Sequence, residues 1–98
     1  MKMLMIVFRQ SIVEGVHALL KEYDVTAFTE LNHVAGRGET GPHVQFLLSP
    51  GANCMILTAV SEQLAYRLID GFTRFKTEQG MEQPNNVHVF VLPCEQAV

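Results

Sequence analysis

The first strand predicted from this sequence constrains the fold more than any other segment. Residues 2–8 read Lys-Met-Leu-Met-Ile-Val-Phe and are apolar on both faces of an extended chain. Such a strand is typical of the middle of a sheet whose two faces are both covered. The apolar run stops at Arg9, far short of the ~20 residues that a membrane helix needs. Because no small-residue cleavage site follows it, we do not expect a signal peptide.

A helix and a second strand are predicted next. Ser11 and Glu14 form an S-x-x-E capping box, in which each side chain satisfies a free backbone N–H at a helix start. Apolar residues at helical spacing continue to Tyr23, and Gly15 within this stretch indicates close packing against a neighbouring element. Residues 25–34 then alternate with a period of two, as a half-buried strand does.

The second half of the chain repeats the order strand, helix, strand. Residues 53–60 form an apolar strand, and Ser61 is a favourable N-cap for a helix whose apolar stripe ends at Phe75. Residues 87–92 alternate as a last strand. The order β-α-β-β-α-β predicts an α+β, ferredoxin-like sandwich, with a four-stranded antiparallel sheet and two helices on one face. We expect residues 1–98 to form this as one domain.

This fold has a sheet face that its own helices do not cover. The first, third and last strands are apolar on both faces, and an open apolar surface of several hundred Å² is more than a monomer usually exposes. We therefore expect other copies of the same chain to bury the second face.

The net charge limits the kinds of partner to expect, and the cysteine content indicates the cellular compartment. Seven Lys and Arg against ten Asp and Glu give a formal charge of −3. An acidic chain without a basic run, and without the aromatic-rich strands of RNA-binding domains, disfavours nucleic acid as a partner. Two cysteines are too few for a disulfide framework, so we expect a cytoplasmic protein with reduced thiols.

The glycine- and proline-rich stretch 36–51 is the strongest candidate site. It is long for a connection in so small a domain, and long loops usually carry function. Its glycines allow the backbone to approach a ligand closely, and Arg37 can pair with an anion. A flexible hairpin connection, in which glycine serves only the turns, is the alternative. The stretch matches neither the P-loop pattern nor the dinucleotide-binding fingerprint.

The residues that lead into this stretch carry a family resemblance. Residues 25–30 read Val-Thr-Ala-Phe-Thr-Glu, and residues 34–38 read Val-Ala-Gly-Arg-Gly. They resemble the second strand of the PII nitrogen-regulatory signalling family and the glycine-rich, Arg-containing start of that family's mobile T-loop. The initial Met-Lys, Arg9 and residues 60–63 are also similar, and the order of elements agrees across nearly the whole chain.

The resemblance implies a homotrimer that is not an enzyme. It also implies a small effector, with an adenine nucleotide among the candidates, bound in clefts between subunits. The loop would convey the ligand state to a protein partner such as a membrane transporter or an enzyme. Thr29 matches the second Thr of the family segment and is a candidate adenine-side contact, against the alternative of an ordinary strand threonine. The predicted ligand-binding residues are Thr29, Gly36, Arg37, Gly38 and Glu39.

One segment departs from the family pattern. Where the family carries a Thr-Gly-x-x-Gly-Asp-Gly-Lys loop that grips phosphates, residues 78–86 hold one Gly, two acidic residues and no basic residue. The positive charge that would neutralise a polyphosphate is missing there. The loop is also shorter than a full T-loop and lacks the Tyr that some relatives modify. The sequence therefore leaves the effector, and any cofactor, unidentified.

Two functions of other classes stay open. The first is a CutA-like metal-binding or metal-tolerance trimer, with His43, and His33 or Cys54, as zinc or copper ligands. No pair of His or Cys residues has short ligand spacing, so we assign no metal site. The second is a small enzyme on the same scaffold. Cys54 and Cys94 are potential nucleophiles, but no Cys-His spacing supports them, so we assign no catalytic residue.

Overall fold

The computed structural model of the chain describes residues 1–35, 53–78, 87–96 and 98. In chain order its strands and helices are β1 (Lys2–Arg9), α1 (Val13–Glu22), β2 (Thr29–Val34), β3 (Asn53–Val60), α2 (Glu62–Glu78) and β4 (Val87–Pro93). A 3-10 turn, Gln10–Ile12, joins β1 to α1. None of the helices in the described ranges is both long and apolar enough to cross a membrane.

The four strands form one antiparallel sheet in the order β2-β3-β1-β4. Strand β1 lies in the centre, where Ile6 pairs with Ile56 of β3 on one side and with Val89 of β4 on the other. Helices α1 and α2 pack on one face of the sheet. The predicted ferredoxin-like sandwich is confirmed, and the central place of β1 explains why its sequence is apolar throughout.

The core lies between the helices and the sheet. Every second residue of β1 and β3 points into the core. Burial of each large apolar side chain there stabilises the folded state by about 1.5–3 kcal/mol. Helices α1 and α2 contribute their apolar stripes from the other side. The largest fully buried side chains are Leu4, Ile6, Phe8, Val16, Leu20, Cys54, Ile56 and Leu68.

The predicted capping box at Ser11 is wrong. An N-cap serine needs an extended backbone so that its hydroxyl faces the free N–H groups. Ser11 instead lies inside the 3-10 turn, where the N–H of Val13 bonds to the carbonyl of Gln10. Helix α1 begins at Val13 after Ile12, and no described side chain caps it. The short 3-10 turn after β1 therefore determines where α1 begins.

The cap predicted for the second helix is confirmed. The hydroxyl oxygen of Ser61 accepts a hydrogen bond from the N–H of Leu64 at 3.2 Å. The predicted close packing at Gly15 is also confirmed, because a Cβ placed there would lie 2.8 Å from the ring of Phe75 on α2. The absence of a side chain at Gly15 thus sets how closely α1 approaches α2.

Strand β2 begins later than the alternating pattern predicts. Residues 25–28 precede it, and hydrogen bonds outside the strand pairing hold them in place. The N–H of Val25 donates to the carbonyl of Leu20 at 2.8 Å, and the hydroxyl of Thr58 donates to the carbonyl of Ala27 at 2.9 Å. The end of α1 and a side chain of β3 therefore fix this segment, and pairing with β3 starts only at Thr29.

Candidate functional site

The sheet face opposite α1 and α2, which we call the open face, is apolar. Two cross-strand rows run over it from β2 to β4. Phe90 is 53% exposed and Leu31 is 44% exposed, so this apolar surface meets solvent in the single chain. The first row is Thr29, Leu57, Met5 and Phe90, and the second is Leu31, Met55, Val7 and His88.

Thr29 lies at one end of the first row, on the β2 edge of the open face. It pairs with Leu57 and is exposed. Its hydroxyl is the one polar group of that row, at the rim of an otherwise apolar surface. A threonine in this place can reach a ligand or a second chain that lies against the edge of the sheet.

Strand β2 ends irregularly just before the glycine-rich stretch. Its pairing with β3 shifts between Leu31 and Val34, and His33 has a φ of 59°. A positive φ is uncommon for residues other than glycine, although histidine adopts it more readily than most. A bulge of this kind bends a strand. The chain therefore changes direction just before residue 35.

Four of the five predicted ligand-binding residues, Gly36, Arg37, Gly38 and Glu39, lie outside the described residues. His43 lies outside them as well. The structure does describe where this segment is attached. Val34 pairs with Asn53, so residues 36–52 connect neighbouring strands at one end of the sheet. Thr29 lies on the strand that leads into the segment.

A side-chain pair that the sequence did not indicate joins α1 to β2. Nε2 of His17 and Oε1 of Glu30 lie 2.5 Å apart, and the His17 ring centroid is 5.8 Å from that of Phe28. Glu30 pairs with Ile56, on the helix-covered side of the sheet. The pair ties the start of β2 to the helix, next to Thr29. No periodicity links residues 13 positions apart, so sequence reasoning had no signal for it.

Cys54 lies near the Glu30 carboxylate of this pair. Burial raises the pKa of the Cys54 thiol above its ordinary value, the Glu30 carboxylate raises it further, and the backbone N–H of His33 opposes the change. A thiol is nucleophilic and metal-binding only as the thiolate. The structure therefore favours Cys54 as a small apolar core residue rather than a nucleophile.

The candidate metal ligands are spread over the molecule. His33 is exposed at the bulge, Cys54 is buried, His88 lies on the open face and Cys94 is a half-buried free thiol. Within residues 1–35, 53–78 and 87–98, leaving out 97, no group of three or more His, Cys, Asp or Glu side chains could hold a metal ion. His43, the first candidate, is outside these ranges.

Comparison with known proteins assigns the family. The family model "Nitrogen regulatory protein P-II" matches residues 1–98. The chain belongs to the P-II family. This confirms the resemblance drawn from residues 25–38 and identifies the chain as a P-II-like signalling protein. No curated protein sequence matches the chain.

Solved structures of P-II-like proteins resemble this one over most of their length. CPII from Thiomonas intermedia K12, a nitrogen regulatory PII-like protein bound to ADP, AMP and bicarbonate, is 28% identical with a TM-score of 0.69, covering 93% of this chain and 88% of that chain. Another CPII structure, bound to ADP and bicarbonate, is 30% identical with a TM-score of 0.67, covering 92% and 81%. A PII-like signalling protein from Thermus thermophilus, 22% identical with a TM-score of 0.59 over 92% and 82%, shares the fold.

Proposed function

We propose that this P-II family member is a homotrimeric regulatory protein and not an enzyme. It binds an adenine nucleotide in the clefts between subunits and acts on a partner protein through residues 36–51. The open face of the sheet carries the proposal, because an apolar surface that spans four strands needs a cover. Residues 1–98 act together as one domain in this assembly, which we place in the cytoplasm because both cysteines are free thiols.

The chemistry of the open face supports burial against other copies of the chain. Its two rows contain a single ionisable side chain, His88. Burial, and then the positive charge of Lys76, lower the pKa of His88 and so favour its neutral form. Burying neutral, apolar side chains releases free energy, whereas burying an unpaired charge would cost it. Rotational symmetry lets identical apolar faces meet in a closed assembly, and the family resemblance supports a trimer.

The position of Thr29 supports a ligand site at the edge of that assembly. Thr29 lies at the rim of the open face. The bulge between Leu31 and Val34 separates it from residue 36 along the chain. A neighbouring subunit packed on the face would form a cleft with this rim. The base of a nucleotide would lie beside Thr29, while Arg37 and the backbone of the glycines at positions 36 and 38 would receive an anionic group.

The ligands of the CPII structures decide which effectors to test first. Those proteins were solved with ADP, AMP and bicarbonate. Residues 78–86 of this chain contain no basic residue, so we propose that it binds ADP and AMP in preference to ATP. Bicarbonate is the second effector to test. The effector would act by binding one arrangement of residues 36–51 better than another.

Sedimentation and thermal shift together test this function. We expect a single species of three chains, and a rise in melting temperature with ADP or AMP because a ligand that binds only the folded state stabilises it. ATP, 2-oxo acids, bicarbonate and divalent metals complete the panel. A monodisperse monomer would contradict the proposal at its first step. Stabilisation by zinc or copper alone would favour the CutA-like alternative instead.

A further inference from the structure

Tyr23 lies in a slot on helix α2. The slot exists because residue 71 is glycine: a Cβ there would lie 2.7 Å from Cε2 of Tyr23 and 2.9 Å from its hydroxyl oxygen. Contacts this short are not tolerated between carbon atoms, so only glycine lets the ring lie across the helix at this point. Tyr23 follows the last residue of α1, and the contact fixes its ring in the helical layer, away from the open face.

Two arginines of α2 flank this ring. The guanidinium carbon of Arg67 lies 5.4 Å from the ring centroid of Tyr23, within the range of a cation–π contact. On the other side of Gly71, Nη2 of Arg74 donates a hydrogen bond to the Tyr23 hydroxyl at 2.7 Å. Arg67 and Arg74 are seven residues, or about two turns, apart, so they leave the helix on the same side. The tyrosine holds both guanidinium groups in place.

The cluster of Tyr23, Arg67 and Arg74 has more hydrogen-bond donors than the bond from Arg74 to the Tyr23 oxygen uses. A guanidinium group has five donors and no acceptor. The Tyr23 oxygen already accepts from Arg74, so its own hydrogen remains free to be donated. Within the described parts of the chain, neither arginine has a carboxylate within 4.0 Å, since the ion pairs there are Lys2–Glu62 and His17–Glu30. The Tyr23 hydroxyl and the two guanidinium groups beside it are donors of the kind that an oxyanion accepts from.

We propose that Tyr23, Arg67 and Arg74 form a recognition site for a carboxylate group of a partner protein. The surrounding charge decides this choice of partner. Asp24 and Asp70 are exposed beside the cluster, and the chain carries a net charge of −3. A polyanion is repelled by this surface, whereas one carboxylate in a neutral or basic peptide segment is attracted to the two guanidinium groups. The site needs neither the trimer nor a nucleotide.

Tyrosine fluorescence can report on this site directly. The chain has no Trp and two Tyr, and Tyr66 is 55% exposed on α2. A Tyr66→Phe background therefore leaves Tyr23 as the only tyrosine, so emission excited in the tyrosine absorption band comes from Tyr23 alone. The probe is the peptide acetyl-Lys-Gly-Glu-Gly-Lys-amide, and its control carries Gln in place of Glu. We expect a saturable change with the Glu peptide at a Kd of about 1 mM and no change with the Gln peptide.

Charge-matched variants separate this site from general electrostatics. In the same background, Arg67→Gln and Arg74→Gln should each weaken binding of the Glu peptide about fivefold, as expected for loss of an exposed ion pair. Lys76→Gln removes the same charge from the same helix without touching Tyr23, and should change the Kd by less than about twofold. All four variants alter exposed or half-exposed side chains, so circular dichroism should show an intact fold.

Three results would overturn the proposal. The first is an equal response to the Glu and Gln peptides. The second is full affinity in both arginine variants, or an equal loss in Lys76→Gln. The third is tighter binding of inorganic polyphosphate than of the Glu peptide, which would identify a polyanion site. None of these measurements depends on assembly or on ADP, so the outcome is independent of the proposed regulatory function.

Discussion

The hydroxyl of Thr58 donates a hydrogen bond to the carbonyl oxygen of Ala27, 31 residues earlier in the chain, at 2.9 Å. Thr58 is 2% exposed, in a strand whose other core-facing residues are apolar. The bond anchors the segment that precedes β2 to β3. It therefore positions Thr29, the one predicted ligand contact that the structure describes, although Thr58 itself is on the opposite face.

Replacing Thr58 by valine should destabilise the protein and loosen this segment. The substitution keeps the shape of the side chain and removes its donor, so the bond to the exposed Ala27 residue is lost at a cost of about 0.5–1.5 kcal/mol. Thr58→Ser keeps the hydroxyl and should cost less. Urea unfolding of the two variants gives the free energies of unfolding. Equal stability of Thr58→Val and the parent protein would mean that the bond contributes nothing.

Glutamate introduced on the two faces of β1 should have different effects. Met5 lies on the open face and Leu4 in the core. Met5→Glu should give a folded monomer, because the charge would block the proposed interface between subunits while remaining in solvent in the free chain. Leu4→Glu should unfold the chain, since an unpaired buried carboxylate costs several kcal/mol. Sedimentation and circular dichroism distinguish these results. A native assembly of Met5→Glu would show that the open face is not the interface.

Stability should decrease in mild acid because of His88. Burial and the charge of Lys76 lower its pKa from 6.5 in the folded protein, so the unfolded chain takes up a proton first as the pH falls. The contribution of His88 is complete above pH 6.5 and is lost as the pH falls through the lower, folded-state pKa. Thermal melts of the parent and His88→Gln between about pH 8 and pH 5 test this. The variant should show the smaller decline, and identical pH profiles would exclude His88 as the cause.

Arg37→Ala should weaken binding of ADP or bicarbonate without affecting assembly. A charge-assisted hydrogen bond to an anion is worth about 1.5–3 kcal/mol, so we expect the Kd to rise roughly tenfold or more. Lys21→Ala, an exposed change on α1, removes the same charge elsewhere and should leave the Kd unchanged. Isothermal titration calorimetry on both variants, after sedimentation, gives the comparison. Unchanged affinity in Arg37→Ala would remove this residue from the site.

Much of the fold followed from periodicity alone. The central strand, both helices and the place of β3 were predictable because each buries a regular set of side chains, and Gly15 within a helical pattern indicated a close helix contact. The capping box predicted at Ser11 was wrong because a capping motif depends only on local sequence. The 3-10 turn that contains Ser11 depends on where β1 ends. The start of β2 was predicted too early because Val25 is buried by α1 and not by a strand partner.

The candidate site was less predictable than the fold. Thr29 was found through a family resemblance, and its place on the rim of the open face depends on the register of three strands. His17 and Glu30 meet only because α1 crosses the sheet, which no spacing in the sequence reveals. The cluster at Tyr23 was partly visible in the sequence, since Arg67, Gly71 and Arg74 share one side of a helix. The sequence did not indicate that Tyr23, which follows α1, lies between the two arginines.

The pairing of Val34 with Asn53 has an evolutionary consequence. Since these two residues meet across neighbouring strands, the strand pairing fixes the two ends of the intervening segment and does not depend on its length. Closing a flexible connection twice as long costs only about 0.6 kcal/mol more. Insertions, deletions and substitutions between Val34 and Asn53 should therefore accumulate in evolution with little effect on the stability of the sheet.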